Sequence, residues 1–380
     1  MKIQRLALII PFVVSVACSS SNNTPGDAGL LDTRLDHPST DGTVIDTPAA
    51  ETPIDTAAID APHEAAPADA GVKLPRLERT VLVVDQLPDG GADAGADAGA
   101  DGPPLPTVDP NLVNPWGVAF NPTGPLWVAD NGTGLSTVYS QQGQILPVVV
   151  TIPPPAGGTA PSAPTGLVFN PTTGFLGDKF IFSSEGGTIA GWQTGAAAVT
   201  RADNPTAHTV YKGLAIALRN NVPRLYATDF HNAKVDVFDL GYTKLTTIGG
   251  FVDATLPAGF APYGIHAEGA VLYVTYAKQD AMAHDDVKGL GNGYVDVFDF
   301  DGVLTKRLIS AGALNSPWAI AFAPVDFGVF SHDLLVGNFG DGHINAYDPT
   351  SGAFLSGVED TTGAPLVIDG LWGLTFGNDT

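Results

Sequence analysis

The chain has 380 residues, 44% of them hydrophobic, with 45 Gly, 31 Pro and a formal net charge of −23 from 40 acidic against 17 basic residues. That charge repels phosphate backbones and anionic lipid surfaces, which excludes nucleic acid as a partner and a purely electrostatic hold on a membrane. Abundant turn-forming residues suit a β protein with few helices, and the length allows one large domain or two.

In chain order, Met1 to Cys18 carries Lys2 and Arg5 ahead of an apolar run from Leu6 to Val16. An apolar core of about a dozen residues is short for a transmembrane helix and reads as a secretory signal. Cys18 is the only cysteine, so an intrachain disulfide is excluded. The segment resembles a bacterial lipoprotein signal, with Val16 and Ala17 fitting and Ser15 departing. That resemblance implies a lipid on Cys18 as the sole membrane attachment and, with Ser19 rather than Asp next, an outer-membrane address in the cell envelope. The other reading is a plain cleaved signal with an incidental thiol. Residues 19–75 are Thr, Ala, Pro and acid, with a carboxylate roughly every five residues, too little apolar surface to offset the entropy of ordering. A disordered acidic tether is expected there. Residues 76–380 form the expected folded domain, opening on a β-branched strand at Val81–Val84. Its low-complexity loop, 88–106, spaces Asp89, Asp93, Asp97 and Asp101 four apart, unlike the two-residue spacing of calcium loops, and reads as a solvated linker.

From Asn114 the chain repeats. A Pro-aromatic-Gly start leads into a short apolar run, a second run ending near an acid, a Gly-rich turn, and a third run ending on an aromatic. Starts recur at Pro115, Pro164, Tyr211, Pro262, Pro317 and Leu371, about 50 residues apart, as in propeller blades. The third runs end on Tyr139, Trp192, Phe238, Phe298 and Tyr347. The pattern predicts an all-β propeller of about six blades, each an antiparallel sheet with strands A to D running outward from the channel. The last repeat supplies only an inner strand before Thr380, which leaves the last blade incomplete. Val81–Val84 is placed to join it, with a gap where two strands should be. Fourth strands are clearest at Val148–Ile152 and Thr246–Val252.

Strand A begins on the face where strand B ends, so two columns of residues should converge on one channel mouth. The strand-A column holds Trp116, Thr165, Lys212, Tyr263, Trp318 and Trp372, and the strand-B column holds Asp130, Ser184, Asp229, Tyr276 and Asn338, with Asn131, Glu185 and His231 close by. Two readings stand. In one, the aromatics rim a funnel for a sugar, peptide or other amphipathic ligand; in the other, they plug the channel while the carboxylates cap their turns. The loop Ala277–Gly293 carries Asp280, His284, Asp285, Asp286 and Lys288, which suits a divalent ion, a solvated loop or a lid. No Gly-x-Ser-x-Gly elbow is present, and no catalytic residue is assigned. His208, His266 and His332 are expected to be structural or surface residues.

The runs NLVNPWGVAFNPTGPLWVADNGTG, LYATDFHNAKVDVFD and LLVGNFGDGHINAYDPTSGAFL resemble an uncharacterised bacterial family of exported, NHL-like propeller proteins. The likeness covers about Arg79 to the end and implies an NHL-like propeller without an assigned activity. The favoured function is a cell-envelope binding or scaffold propeller for a protein or glycan, with no cofactor. The alternative is a metal-dependent hydrolase or lactonase of the propeller type, using calcium.

Overall fold

The computed structural model describes residues 76–87, 105–204 and 207–377, with the backbone of 5–9 and 12–18. All belong to one compact unit; a second, Ser21–Lys73, lies outside the described residues. So do the tether expected over 19–75 and nearly all of the low-complexity loop.

Five four-stranded antiparallel sheets follow one another along the chain. Blade one is Pro115–Phe120, Leu126–Asp130, Leu135–Tyr139 and Ile145–Thr151. Blade two is Pro164–Phe169, Phe180–Ser184, Thr188–Trp192 and Val199–Asp203. Blade three is Tyr211–Arg219, Val222–Asp229, Lys234–Phe238 and Lys244–Leu245. Blade four is Phe260–Glu268, Val271–Lys278, Gly293–Asp299 and Leu304–Ser310, and blade five is Pro317–Phe322, Leu334–Asn338, Ile344–Tyr347 and Phe354–Gly357. The expected strand at Thr246–Val252 is not formed. Gly250 and Phe251 take positive φ (66° and 57°), and this turn bonds instead to the Asp301–Gly302 turn of blade four.

The sixth sheet closes the ring. Leu374–Phe376 is its inner strand and Arg76–Val84 its outer one. Between them lie Arg5–Ile9 and Phe12–Cys18, paired antiparallel with each other, with Leu374–Phe376 and with Arg76–Val84. The expected two-strand gap is therefore filled by the segment read as a signal. The two strands pair with each other, and unpaired backbone on both flanking edges gives them partners. The backbone of Cys18 is opposite Leu77; its side chain lies outside the described residues.

A propeller sheet is covered on both faces by its neighbours, and the cores follow that rule. Trp127, Phe180 and Phe182 pack between blades one and two, Ile181, Leu225 and Phe238 between two and three, and Tyr226, Leu272 and Phe298 between three and four. Val297, Leu308 and Val336 join four to five, Leu335, Ile344 and Leu77 join five to six, and Val83, Val128 and Tyr139 join six to one. The inner strands approach so closely that a Cβ on Gly264 would lie 1.9 Å from the Trp318 carbonyl oxygen, and one on Gly117 2.5 Å from that of Thr165.

One strand-C position carries an acid in two successive blades with opposite outcomes. Asp236 is buried but accepts from Lys234 (2.8 Å), Lys244 (2.6 Å) and the Tyr211 hydroxyl (2.8 Å). Burial pushes its carboxyl up, and these donors outweigh it to leave the pKa below the ordinary value. Asp296, fully buried in blade four, has Arg307 Nε at 3.5 Å, while the Arg307 guanidinium bonds Asp253. Burial first and the Asp253 charge second push Asp296 up to about 7.

Two outcomes are expected. Removing residues 1–18 should lower the melting temperature by more than about 5 °C and promote self-association through the bared strand edges; an unchanged, monomeric melt would remove the hairpin from the fold. Because the folded pKa of Asp296 lies above the unfolded one, its favourable contribution is complete below about pH 4 and is lost as pH rises through about 7. Asp296→Asn should flatten stability over that window and raise it at pH 8 by about 4 kcal/mol, as read by urea unfolding at each pH.

Candidate functional site

At the mouth where strands A begin, the aromatic residues before Gly117, Gly264, Ala319 and Gly373 gather, while Thr165, before Gly166, bonds Ser183 and the Tyr211 carbonyl. Trp116, Tyr263 and Trp372 are buried and Trp318 is half-buried, and they cluster with Phe230 and Phe339. Trp372 stacks on Trp116 at 3.5 Å between centroids and on Phe339 at 3.8 Å, and Trp318 stands edge-on to Trp372 at 5.8 Å. The aromatic column therefore plugs the mouth, with its ring faces against one another. Beside the plug a solvent-open channel of about 330 Å³ is lined by the inner strands, including Gly117, Gly166, Phe169 and His266.

The strand-B column splits in the same way. Asp130 is fully buried, accepts from the Thr137 hydroxyl at 2.9 Å, and has its pKa raised by burial. Asp229 accepts from Val210 N, Asn232 N and Asn232 Nδ2, and Asn338 donates to the Ala313 carbonyl at 2.8 Å and to Asp341. These three secure turns. Asn131 reaches the rim, donating to Glu185 Oε2 at 3.1 Å.

Lys212 links plug and rim. Its side chain is 1% exposed, and its ammonium donates to Glu185 Oε1 at 2.5 Å while lying 4.9 Å from the Trp116 ring centroid and 5.8 Å from that of Phe230. A charge so enclosed is tolerable only with a counter-ion and aromatic faces beside it. Asp285 stands 3.5 Å from the same ammonium.

The open part of the site is a rim cavity of about 450 Å³ lined by Glu185, Asp280, Asp285, His208, His231 and His284, with Met282 at its edge. The loop between Lys278 and Gly293 brings Asp280, His284 and Asp285 to it. Asp280 Oδ1 accepts from the backbone N–H groups of Met282, His284 and Asp285, which shapes the turn. Tyr263 donates to Asp286 Oδ1 at 2.8 Å, and Gln279 Nε2 donates to the Phe230 carbonyl at 2.6 Å, holding the loop to the plug. Of the sequence-derived site residues, Glu185 and His231 thus line the cavity, Asn131 and Lys212 back it, Trp116, Tyr263, Trp318 and Trp372 form the plug, and Asp130, Asp229 and Asn338 hold turns. Sequence reasoning assigned His208 a structural or surface role because it stands apart from any motif; it lines the cavity, its ring centroid 5.8 Å from that of His231.

No family model matches the chain. Among curated proteins, it is 35% identical over 283 residues to uncharacterised protein R648 of Acanthamoeba polyphaga mimivirus, covering 70% of this chain and 69% of that one. Uncharacterised protein L690 of the same virus is 36% identical over 285 residues, covering 70% and 74%. The chain belongs to the family of these viral proteins. That finding overturns the expected membership of a bacterial exported family. Among solved structures, a catalytically inactive virginiamycin B lyase from Staphylococcus aureus with quinupristin is 17% identical, with a TM-score of 0.48 over 74% of this chain and 84% of that one. A nidogen/laminin complex is 15% identical, with a TM-score of 0.46 over 69% and 84%.

Trp372→Ala is expected to cost about 3–5 kcal/mol of stability, because it empties the centre of a packed aromatic stack. Chemical denaturation checks this; a loss under 1 kcal/mol, roughly the scale of an exposed contact, would return the ring to a ligand-facing role.

Proposed function

We propose that the protein is a binding propeller that takes a protein partner on the plugged mouth, with the rim cavity receiving a basic side chain of that partner. The observation that supports this most directly is the convergence of Glu185, Asp280 and Asp285 on one cavity of about 450 Å³ in a chain of net charge −23. Carboxylates at a concave site favour a guanidinium or ammonium group, which they bind through charge-assisted hydrogen bonds. The same loop exposes Met282 (77%) and Leu290 (78%), adaptable apolar contacts of the kind used at recognition surfaces. Glycan recognition would draw on open aromatic faces, whereas the mouth aromatics are turned against one another in the plug.

An array of short peptides varying in Arg and Lys content, probed alongside neutral oligosaccharides, tests the proposal. Basic peptides should bind in the array and lose at least about tenfold in affinity to Asp285→Lys, with weakening at high salt. Binding confined to the oligosaccharides, or insensitive to Asp285→Lys, would overturn it.

A further inference from the structure

Within the same cavity a second ligand chemistry is present. Glu185 comes from the strand B–C turn of blade two, and His284 and Asp285 come from the long loop of blade four. Although they are about a hundred residues apart in sequence, each offers a ligand atom, and these atoms all lie within 4.8 Å of one another. We infer that Glu185, His284 and Asp285 form a site for a borderline divalent cation of the zinc or nickel class, which ties the blade-four loop to blade two across the mouth.

Four observations carry the inference. The loop turn is fixed by the three backbone N–H bonds to Asp280 and by the Tyr263–Asp286 and Gln279–Phe230 bonds, so His284 and Asp285 are presented from a defined backbone. His284 Nδ1 lies 3.0 Å from Asp285 Oδ1, which puts an imidazole nitrogen and a carboxylate oxygen side by side. Two further imidazoles, His208 and His231, line the same cavity. Finally, the Lys212 ammonium already contacts both carboxylates, at 2.5 Å and 3.5 Å, which shows that they converge on positive charge.

Lys212 also sets limits. Its side chain is enclosed, whereas His284 and Asp285 are exposed. A divalent ion there must share Glu185 with Lys212 and draw Asp285 away from it, and repulsion between the two cations weakens binding. The imidazole selects against calcium, which prefers oxygen ligands throughout. The ion and the basic side chain of the proposed partner would compete for the same carboxylates, so this part of the inference rests on the proposed function, while the metal site does not.

Isothermal titration of the full-length protein with zinc, nickel, manganese and calcium chlorides, with no peptide present, tests it. One equivalent of zinc or nickel is expected to bind, calcium more weakly, with at least about tenfold loss in both His284→Ala and Glu185→Gln. Hydrogen exchange should show slower amide exchange over 280–288 on adding zinc to the wild type and no change in His284→Ala. Absence of binding up to about 1 mM, or equal affinity in wild type and both variants, would overturn the site. In that case basic-peptide binding that still depends on Asp285 would leave the proposed function intact, whereas metal binding without peptide binding would remove the partner and keep the site.

Discussion

The structure depends on how closely the inner strands must approach to close a ring. Where two of them touch, the residue facing the neighbour has no room for a side chain, as the 1.9 Å clash of a Cβ on Gly264 with the Trp318 carbonyl shows. Successive residues of a strand point to opposite faces, so the large residue before each small one is directed elsewhere, at the channel mouth. The Trp116-Gly117, Lys212-Gly213, Tyr263-Gly264 and Trp372-Gly373 pairs are this one constraint written four times. The small member lets the ring close, and the large member fills the axis it leaves behind.

Filling the axis with aromatics has an electrostatic consequence. One position of the column is Lys212, and enclosing its ammonium among Trp116 and Phe230 requires a counter-charge at close range. Glu185 supplies it, held by Asn131, and this fixes a carboxylate at the rim of the plug. The loop of blade four then adds His284 and Asp285 on the open side. The accessible chemistry of the face therefore sits beside the channel, on the edge of the plug.

The two strand-C acids show how the same local sequence can acquire different physics. Val-Asp-Val-Phe-Asp occurs in blades three and four. Asp236 meets Lys234, Lys244 and Tyr211, and Asp296 meets a guanidinium already engaged by Asp253. Lys234 lies on strand C beside Asp236, where blade four has Tyr294, and the other partners lie on strand D, on an inner strand and in an inter-blade turn.

The period of about 50 residues, the Pro-aromatic-Gly starts, the strand-ending aromatics and the outer strand at Val81–Val84 were all legible in the sequence, because strand alternation and turn chemistry act over a few residues. The same sequence marked the mouth columns, since their positions follow from the blade grammar alone. Tertiary structure decided which members of those columns touch solvent, because burial depends on side chains from six sheets meeting at one axis. It also decided that Arg5–Ile9 and Phe12–Cys18 pair within the sixth sheet, since an apolar β-branched run carries no local signal of its partners and only the strand edges of Leu374–Phe376 and Arg76–Val84 supply them. Glu185, His284 and Asp285 were each visible as residues, but their convergence was set by the curvature of the ring, which brings blades two and four to the same mouth.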